Sequence, residues 1–182
     1  MNNCYLDAEA VITFFRMTGR KHIFITGSRG SGKSHLVNNM LKYMSDSFNL
    51  LQSHRTDTPQ VVIKSNLVAD NKEFVIGIPR TSGINPVSKG NNMTIIEDGF
   101  INCAIPAIDT HLDTTPERLF VIDELGYLES SCIPFQKAVE KLLDNSHVLA
   151  VIRKQSTEFL NRICNRKDVL VIDIDNTFET LS

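Results

Sequence analysis

The sequence predicts an α/β domain with a mainly parallel sheet and helices on both faces of that sheet. A β-rich segment at residues 21–26 leads into a glycine-rich turn and then a helix, which is the order strand, loop, helix. From residue 119 onward, predicted strands alternate with predicted helices, and this alternation is typical of parallel sheets. The chain has 182 residues, enough for one compact domain and few for two. We therefore expect a single domain over residues 1–182.

The amino-terminal part is expected to form helix, strand and helix in that order. An amphipathic helix is predicted over about residues 6–17, with Asp7 as its N-cap and Gly19 as its stop. Its apolar side chains at helical spacing are Val11, Phe14 and Phe15. The strand covers residues 21–26, and the second helix is predicted over residues 33–47. The first helix is therefore an extra amino-terminal element that precedes the strand, the glycine loop and the second helix.

The middle of the chain predicts a hairpin, a loop and a helix. Two runs rich in Val and Ile, at residues 60–68 and 73–79, are joined by four residues that favour turns, which indicates an antiparallel hairpin. Residues 81–92 are rich in Gly, Asn, Ser and Pro and show no periodicity, so they predict a surface loop of functional length. Residues 98–112 are expected to be helical, with Pro106 near a kink.

The remaining strands and helices complete the predicted sheet and its two covering layers. A strand before the hairpin includes residues 50–53. Later strands are predicted at 119–123, 147–152 and 168–174, and helices at 133–145 and 156–164. The helices are long enough to connect parallel strands by crossing over a face of the sheet.

Composition excludes several classes of protein. The formal net charge is -2, which is not the basic balance of a protein that wraps nucleic acid or lies on an anionic membrane. No apolar run approaches the length of a membrane span, so we expect no membrane association. The amino terminus does not have the pattern of a secretory signal. Four cysteines far apart in sequence suit a reducing compartment, and we expect a cytoplasmic protein.

Residues 27–34 read Gly-Ser-Arg-Gly-Ser-Gly-Lys-Ser and fit the pattern G-x-x-x-x-G-K-[ST] at every position. Glycines let the backbone N–H groups of such a loop turn inward around phosphate oxygens. Lys33 would reach the β- and γ-phosphates and act in catalysis there, and Ser34 would ligate Mg²⁺. The residues predicted to bind the nucleotide are Gly27, Ser28, Arg29, Gly30, Ser31, Gly32, Lys33, Ser34 and His35.

An apolar run at residues 119–122 ends in two adjacent carboxylates, Asp123 and Glu124. In P-loop proteins an acid at this position holds Mg²⁺, so Asp123 is the candidate metal ligand beside Ser34. Glu124 suits a general base that polarises water, whereas a kinase must keep water away from the γ-phosphate. Without the glycine loop, both acids would be read as a solvated strand end. With it, they predict a P-loop NTPase, a three-layer fold of the RecA-like, ASCE type with a mainly parallel sheet and an antiparallel hairpin.

Two arginines are candidates for stabilising charge in the transition state. Arg166 precedes the last predicted strand, and Arg153 directly follows the strand at residues 147–152. An arginine close to the γ-phosphate could neutralise developing negative charge in cis. The alternative for each is a solvated arginine on the surface. We take Arg166 as the candidate catalytic arginine and keep Arg153 as a second possibility.

Several further segments accompany the loop in a recognisable order: the first leads into it, and the others follow it along the chain. They are Phe24-Ile25-Thr26-Gly27, Ser82-Gly83, Val121 to Gly126 with Glu129 and Phe135 behind it, and Asn165 to Val169. In these segments the chain resembles the small cancer-related nucleoside-triphosphatase family, which is also found in thermophiles. The resemblance covers about residues 21–176 and implies a P-loop NTPase with loose nucleotide specificity. Tyr127 stands where members of the family often have lysine.

We therefore expect a Mg²⁺-dependent hydrolase that slowly converts ATP, GTP or another nucleoside triphosphate to the diphosphate and phosphate. Its specificity for the base is expected to be broad. Two alternatives remain open from the residues. A nucleotide or small-molecule kinase would use the loop at residues 81–92 as a lid over its acceptor. A nucleotide-dependent switch or adaptor would recruit a protein partner through the amino-terminal helix.

Overall fold

A mixed sheet forms the centre of the computed structural model, which describes residues 7–80 and 93–176. Its strands are β1 (His22–Gly27), β2 (Phe48–Arg55), β3 (Val61–Ser65), β4 (Phe74–Pro79), β5 (Met93–Ile95), β6 (Leu119–Leu125), β7 (His147–Arg153) and β8 (Val169–Asp173). The helices are α1 (Ala8–Thr18), α2 (Lys33–Met44), α3 (Glu97–Gly99), α4 (Ile105–Thr114), α5 (Ile133–Asn145) and α6 (Glu158–Cys164). Three-residue 3₁₀ turns cover Ala69–Asn71 and Glu129–Ser131.

The strand order across the sheet is β5-β4-β3-β2-β6-β7-β1-β8. The neighbours from β2 to β8 in this order run parallel, and β3, β4 and β5 continue the sheet as an antiparallel meander. Because β7 lies between β1 and β6, the strand that enters the glycine loop and the strand that ends in the two acids are not neighbours. This arrangement confirms the predicted P-loop fold of the ASCE type.

Three central strands run parallel, so the residues at their carboxyl ends lie at one edge of the sheet. Strand β7 pairs on one side with β1, where Gly27 faces Arg153, and on the other side with β6, where Asp123 faces Val151. The carboxyl ends of β1, β6 and β7 therefore meet at the same edge of the sheet. In open α/β sheets this edge is where ligands bind.

Helices cover both faces of the sheet, and each face has its own apolar core. Successive side chains of a strand point to opposite faces, so Phe24 packs in one core while Ile23 and Ile25 pack in the other. The core on the Phe24 side is closed by α4, α5 and α6, and the core on the Ile25 side is closed by α1 and α2. The result is the three-layer arrangement expected from the sequence.

The amino-terminal helix begins and ends where the sequence predicts. The carboxylate of Asp7 accepts hydrogen bonds from the N–H groups of the first turn, and Gly19 ends the helix in the left-handed conformation. Val11 and Ile12 are buried, whereas Phe14 is 43% exposed, so only part of the apolar set at helical spacing packs on the domain. The 100° step between helical residues turns position 14 to the side of the helix. A protein partner for this helix stays a prediction.

The middle of the chain partly follows the sequence prediction. The hairpin of β3 and β4 is confirmed, although β3 ends at Ser65. Strand β5 was not predicted; it pairs antiparallel with β4 and is only three residues long, too short to show a period. The second helix ends at Met44, earlier than predicted, because Ser45 adopts an extended conformation. The predicted loop at residues 81–92 lies outside the described residues.

The irregularity expected near Pro106 is confirmed, and it lies just before the proline. Between α3 and α4 the helix passes through a π-helical segment, Phe100–Ala104, in which the N–H of Ile105 donates to the carbonyl of Phe100. Pro106 has no N–H to donate, and its ring crowds the preceding turn. A wider turn relieves that crowding without ending the helix.

The amino end of β1 holds a buried histidine. His22 is fully buried, and its Nε2 atom lies 3.4 Å from Oδ2 of Asp168. Burial lowers the pKa of His22 to about 4, although the carboxylate of Asp168 opposes this effect. Bonds from Arg166 hold the pKa of Asp168 down at about 2. The imidazole is therefore neutral in the folded protein throughout the mildly acidic range.

We expect the folded protein to lose stability as the pH falls from about 6.5 to about 4. In this range the unfolded chain binds a proton at His22 and the folded protein does not, so the free energy of unfolding decreases by up to about 3 kcal/mol. Urea unfolding at several pH values in this range measures how steeply the free energy of unfolding changes with pH, for wild type and for His22→Leu. The variant is expected to show a flatter slope, and a slope equal to that of wild type would contradict the assignment.

Candidate active site

The glycine-rich loop connects β1 to α2 at the functional edge, the edge of the sheet where the carboxyl ends of β1, β6 and β7 meet. Gly32 precedes the helix with φ of 94°, a left-handed conformation that residues with a Cβ rarely adopt. The N–H of Leu36 donates to the carbonyl of Gly32, which closes the first turn of α2. No side chain caps this helix start. The N–H groups of its first turn and the positive end of the helix dipole therefore lie at the loop, as phosphate binding requires.

Lys33 and Asp175 brace the loop from two sides. The ammonium of Lys33 donates to the carbonyl oxygens of Gly27 and Ser28, each at 2.8 Å. The N–H and hydroxyl of Ser28 both donate to Oδ2 of Asp175 at 2.7 Å, and these bonds lower the pKa of that carboxyl. Lys154 pairs with the same carboxylate at 3.1 Å. The loop is thus tied to the segment that follows β8.

Asp123 lies at the carboxyl end of β6, beside β2. The amide of Gln52, its register partner on β2, donates to Oδ2 of Asp123 at 3.3 Å. Burial raises the pKa of Asp123, while the Gln52 bond and the positive charge of Lys33 lower it. Because β1 and β6 both run parallel to β7, Asp123 and the glycine loop lie at the same carboxyl edge of the sheet.

The residues present fit a magnesium ion. Mg²⁺ prefers oxygen ligands and is usually held by one or two protein groups together with substrate phosphates and water. Asp123 offers a carboxylate, and Ser34 offers an exposed hydroxyl in the first turn of α2. Within the described residues there is no cluster of three or more His, Cys, Asp or Glu side chains that could hold a metal by itself. This set matches a metal that arrives with phosphates.

Glu124 forms an ion pair with Arg153, the last residue of β7. Oε1 of Glu124 accepts from Nε of Arg153 at 2.7 Å, and both side chains remain partly exposed to the cleft. The arginine crosses directly over Gly126, where an added Cβ would lie 2.8 Å from its Cδ atom. A glycine at this position therefore lets Arg153 reach Glu124.

The glycine loop and the Glu124–Arg153 pair line one cleft of about 780 Å³, and Asp123 is not part of its lining. Its lining includes the whole loop from Gly27 to Ser34, His35, Arg55, Glu124, Val151, Arg153, Lys154 and Gln155. The structure thus brings the predicted loop residues together with the predicted base. The lining also includes three cations: Arg153, the second candidate from the sequence, and Arg55 and Lys154, which the sequence did not indicate. A cleft lined by a glycine-rich loop and by cationic side chains suits a polyanion.

Arg166 is not part of this cleft, so its predicted role in catalysis is wrong. It precedes β8, and β8 runs parallel to β1, so Arg166 lies at the amino edge of the sheet, opposite the loop. There its guanidinium donates twice to Asp168 and once to Asp144. Arg153, the second candidate from the sequence, occupies the position at the functional edge.

Sequence reasoning missed three side chains of this region, Gln52, Arg55 and Lys154. Gln52 and Arg55 belong to β2 and Lys154 follows β7, and none of the three forms a local motif. Gln52 could have been found only from its pairing with Asp123 across the sheet. The one signal available for Lys154 is its position next to Arg153 after a predicted strand.

The fold and the site together define a P-loop NTPase. A sequence profile of the NTPase family matches residues 22–178, and the chain belongs to this family. The resemblance that the sequence motifs indicate is therefore confirmed. The match begins at the first residue of β1, so α1 lies outside it.

Similar proteins carry the name nucleoside-triphosphatase THEP1. The protein of Thermotoga sp. (strain RQ2) is 26% identical over 155 residues, which covers 84% of this chain and 86% of the relative. The protein of Thermotoga maritima is 23% identical over 154 residues, with coverage of 84% and 86%. Both relatives are thus matched over most of their length.

Two solved structures share the fold. THEP1 from Aquifex aeolicus superposes with a TM-score of 0.65 at 17% identity, covering 87% of this chain and 93% of that one. A human cancer-related nucleoside triphosphatase superposes with a TM-score of 0.62 at 20% identity, covering 84% and 88%. The three-layer architecture is therefore common to this chain and to both structures.

Proposed function

We propose that this protein is a Mg²⁺-dependent nucleoside-triphosphatase that converts a nucleoside triphosphate such as ATP or GTP to the diphosphate and phosphate. The observation that carries the proposal is the cleft in which the glycine loop faces the Glu124–Arg153 pair. Membership of the NTPase family and the names of the THEP1 relatives support the same reaction. The protein is proposed to act as a single domain.

Binding depends on the loop and its lysine. The loop amides and the start of α2 hold the phosphate oxygens, and Lys33 moves from the carbonyls of Gly27 and Ser28 to the β- and γ-phosphates. Asp123 and Ser34 would hold Mg²⁺, which when bound neutralises charge on the β- and γ-oxygens. These contacts fix the triphosphate without reading its base.

Hydrolysis depends on the Glu124–Arg153 pair, which lines the same cleft as the loop. Glu124 orients a water molecule toward the γ-phosphorus and accepts its proton as the water oxygen attacks. The bond to the bridging oxygen breaks, and the diphosphate leaves. Arg153 keeps Glu124 in place and stabilises the charge that spreads over the transferring phosphoryl group.

Broad specificity and slow turnover are part of this proposal. The lining of the cleft consists largely of loop backbone and cationic side chains, which contact the triphosphate shared by all nucleotides. Slow turnover agrees with a base that is paired with an arginine, because the pair must adjust when water is polarised.

A cytoplasmic location is also proposed. Cys103, Cys132 and Cys164 are free thiols in the described part of the chain, which suits a reducing compartment. None of the described helices has the length and apolar character needed to cross a membrane. The net charge of -2 supports a small-molecule ligand more than a nucleic acid.

Phosphate release from the common ribo- and deoxyribonucleoside triphosphates, with Mg²⁺ and with EDTA, tests this function. We expect release from several bases with Mg²⁺ and none with EDTA. Asp123→Asn removes a full negative charge at the metal, so it should require more Mg²⁺ for half-maximal rate. Release that is unaffected by EDTA would contradict the metal dependence, and no release from any triphosphate would contradict the hydrolase assignment.

A further inference from the structure

A second cavity of about 420 Å³ adjoins the phosphate cleft. It lies between the ends of β2, β3 and β4 on one side and the segment after β6 on the other. Arg55, Glu124 and Arg153 line both this cavity and the phosphate cleft. The two spaces therefore meet at the end of the cleft where the base of the hydrolase lies.

One part of the cavity is apolar. Its apolar lining residues come from four separate segments and include Pro59, Val61, Pro79, Met93 and Leu128, with the ring of Tyr127 beside them. Val61 is the register partner of Arg55 on the neighbouring strand, so an apolar wall stands next to a cation. Walls of this kind suit a flat, weakly polar group such as a nucleobase.

The lining of the cavity also includes a buried carboxyl group that is held by hydrogen bonds. Glu129 is only 6% exposed, and its carboxyl accepts from the hydroxyl of Ser53 at 3.1 Å and from the N–H of Gly126 at 3.0 Å. These bonds hold the carboxyl group of Glu129 in a fixed position beside the apolar lining residues. Both carboxyl oxygens are thus already paired within the protein, so Glu129 acts as a fixed part of the cavity wall.

The cations lie where the two spaces meet. Arg55 makes no hydrogen bond or ion pair through its side chain with any other described residue. Arg153 engages Glu124 through its Nε–H and so offsets the negative charge of that carboxylate. An incoming phosphate would be neutralised at this junction, whereas the apolar part of the same molecule would lie deeper in the cavity.

We propose that the second cavity binds a nucleoside monophosphate, with its base between the apolar walls and its phosphate at Arg55, as an acceptor of the γ-phosphoryl group. The proposal rests on the proposed function in one respect, since a triphosphate must occupy the loop. Hydrolysis would then be the reaction that occurs when the acceptor is absent.

The transfer step balances without any further reactant. A phosphate oxygen of the monophosphate attacks the γ-phosphorus of the triphosphate. The bond between that phosphorus and the bridging oxygen breaks, and its electron pair stays on the departing diphosphate. The products are two nucleoside diphosphates, and no base is needed because the attacking oxygen already carries negative charge.

Binding is tested on the full chain saturated with Mg²⁺ and a non-hydrolysable ATP analogue. AMP, GMP, CMP and UMP are titrated separately by calorimetry, and at least one is expected to bind with a stoichiometry near one. Absence of binding by all four would overturn the proposal. Binding that occurs only without the analogue would also overturn it, because the monophosphate would then be occupying the phosphate cleft.

Two variants assign the binding to this cavity. Arg55→Ala should weaken monophosphate binding by roughly tenfold or more, because a charge-assisted contact is lost. Val61→Phe should fill the cavity and remove binding. Arg118→Ala, an exposed arginine before β6 at the opposite edge, is the matched control and should bind as wild type does. Wild-type affinity in Arg55→Ala, which is exposed and should fold, would overturn the proposal.

The fate of the γ-phosphate separates this proposal from hydrolysis. With γ-labelled ATP and the bound monophosphate, label is expected in a new diphosphate at the expense of free phosphate. Phosphate release without any monophosphate binding or label transfer would overturn the acceptor site and leave the hydrolase standing. Transfer of label to the monophosphate by a protein that releases no phosphate in its absence would support the acceptor site and contradict the proposed hydrolysis.

Discussion

Replacing Lys33 with alanine is expected to lower the affinity for nucleoside triphosphates by about a hundredfold or more. The ammonium makes charge-assisted bonds to the β- and γ-phosphates, each of which contributes roughly 1.5–3 kcal/mol. Its present partners are the carbonyls of Gly27 and Ser28, so the side chain already lies over the loop. Calorimetric titration with ATP and with GTP measures the loss.

The same variant should still fold. Alanine is a good helix former at the start of α2, and the buried face of that helix, Leu36 to Leu41, is unchanged. A thermal unfolding curve close to that of wild type would confirm this. Lys137→Ala, which removes an exposed lysine on α5, is the matched control. If Lys33→Ala bound ATP and GTP as tightly as wild type, the loop would not be the phosphate site.

Glu124→Gln is expected to lower kcat by roughly a hundredfold or more while the affinity for triphosphate stays near that of wild type. A general base that only orients water contributes little to binding in the ground state, and its loss costs about 10²–10⁴ in rate. The glutamine keeps an oxygen at the position that accepts from Nε of Arg153. Steady-state kinetics together with calorimetry separate the two quantities.

The control for this change is Glu117→Gln, an exposed acid at the opposite edge of the sheet, which should leave kcat unchanged. Wild-type kcat in Glu124→Gln would show that Glu124 is a strand-end acid paired with Arg153. In that event Glu129 would be tested next, because it is the other carboxyl near the same junction. An equal loss in both kcat and affinity would indicate that Glu124 also helps to hold the nucleotide.

Much of the candidate site could be predicted because its motifs are local. The glycine loop, Lys33 and Ser34 lie within eight consecutive residues, and Asp123 and Glu124 follow one apolar strand. The predictions for these residues depended only on the strand, loop and helix around them, and the structure has those elements in that order. The roles assigned to the side chains stay predictions until the variants are measured.

The wrong prediction for Arg166 has a different origin. Its sequence position, shortly before a strand near the end of the chain, says nothing about which edge of the sheet it reaches. The parallel pairing of β1 with β8 decides that the residue before β8 lies opposite the loop that follows β1. Arg166 then binds Asp144 and Asp168, and it forms part of the surroundings of the buried His22.

The sequence by itself determined the elements and the local motifs of this protein, since strand period, helix caps and the glycine loop depend on residues a few positions apart. Only the tertiary structure decided which side chains meet. Gln52 reaches Asp123, and Arg153 crosses Gly126 to Glu124, because β2, β6 and β7 are neighbours in the sheet. Strand order is fixed by burying two apolar cores at once, a property of the whole chain that no short segment contains.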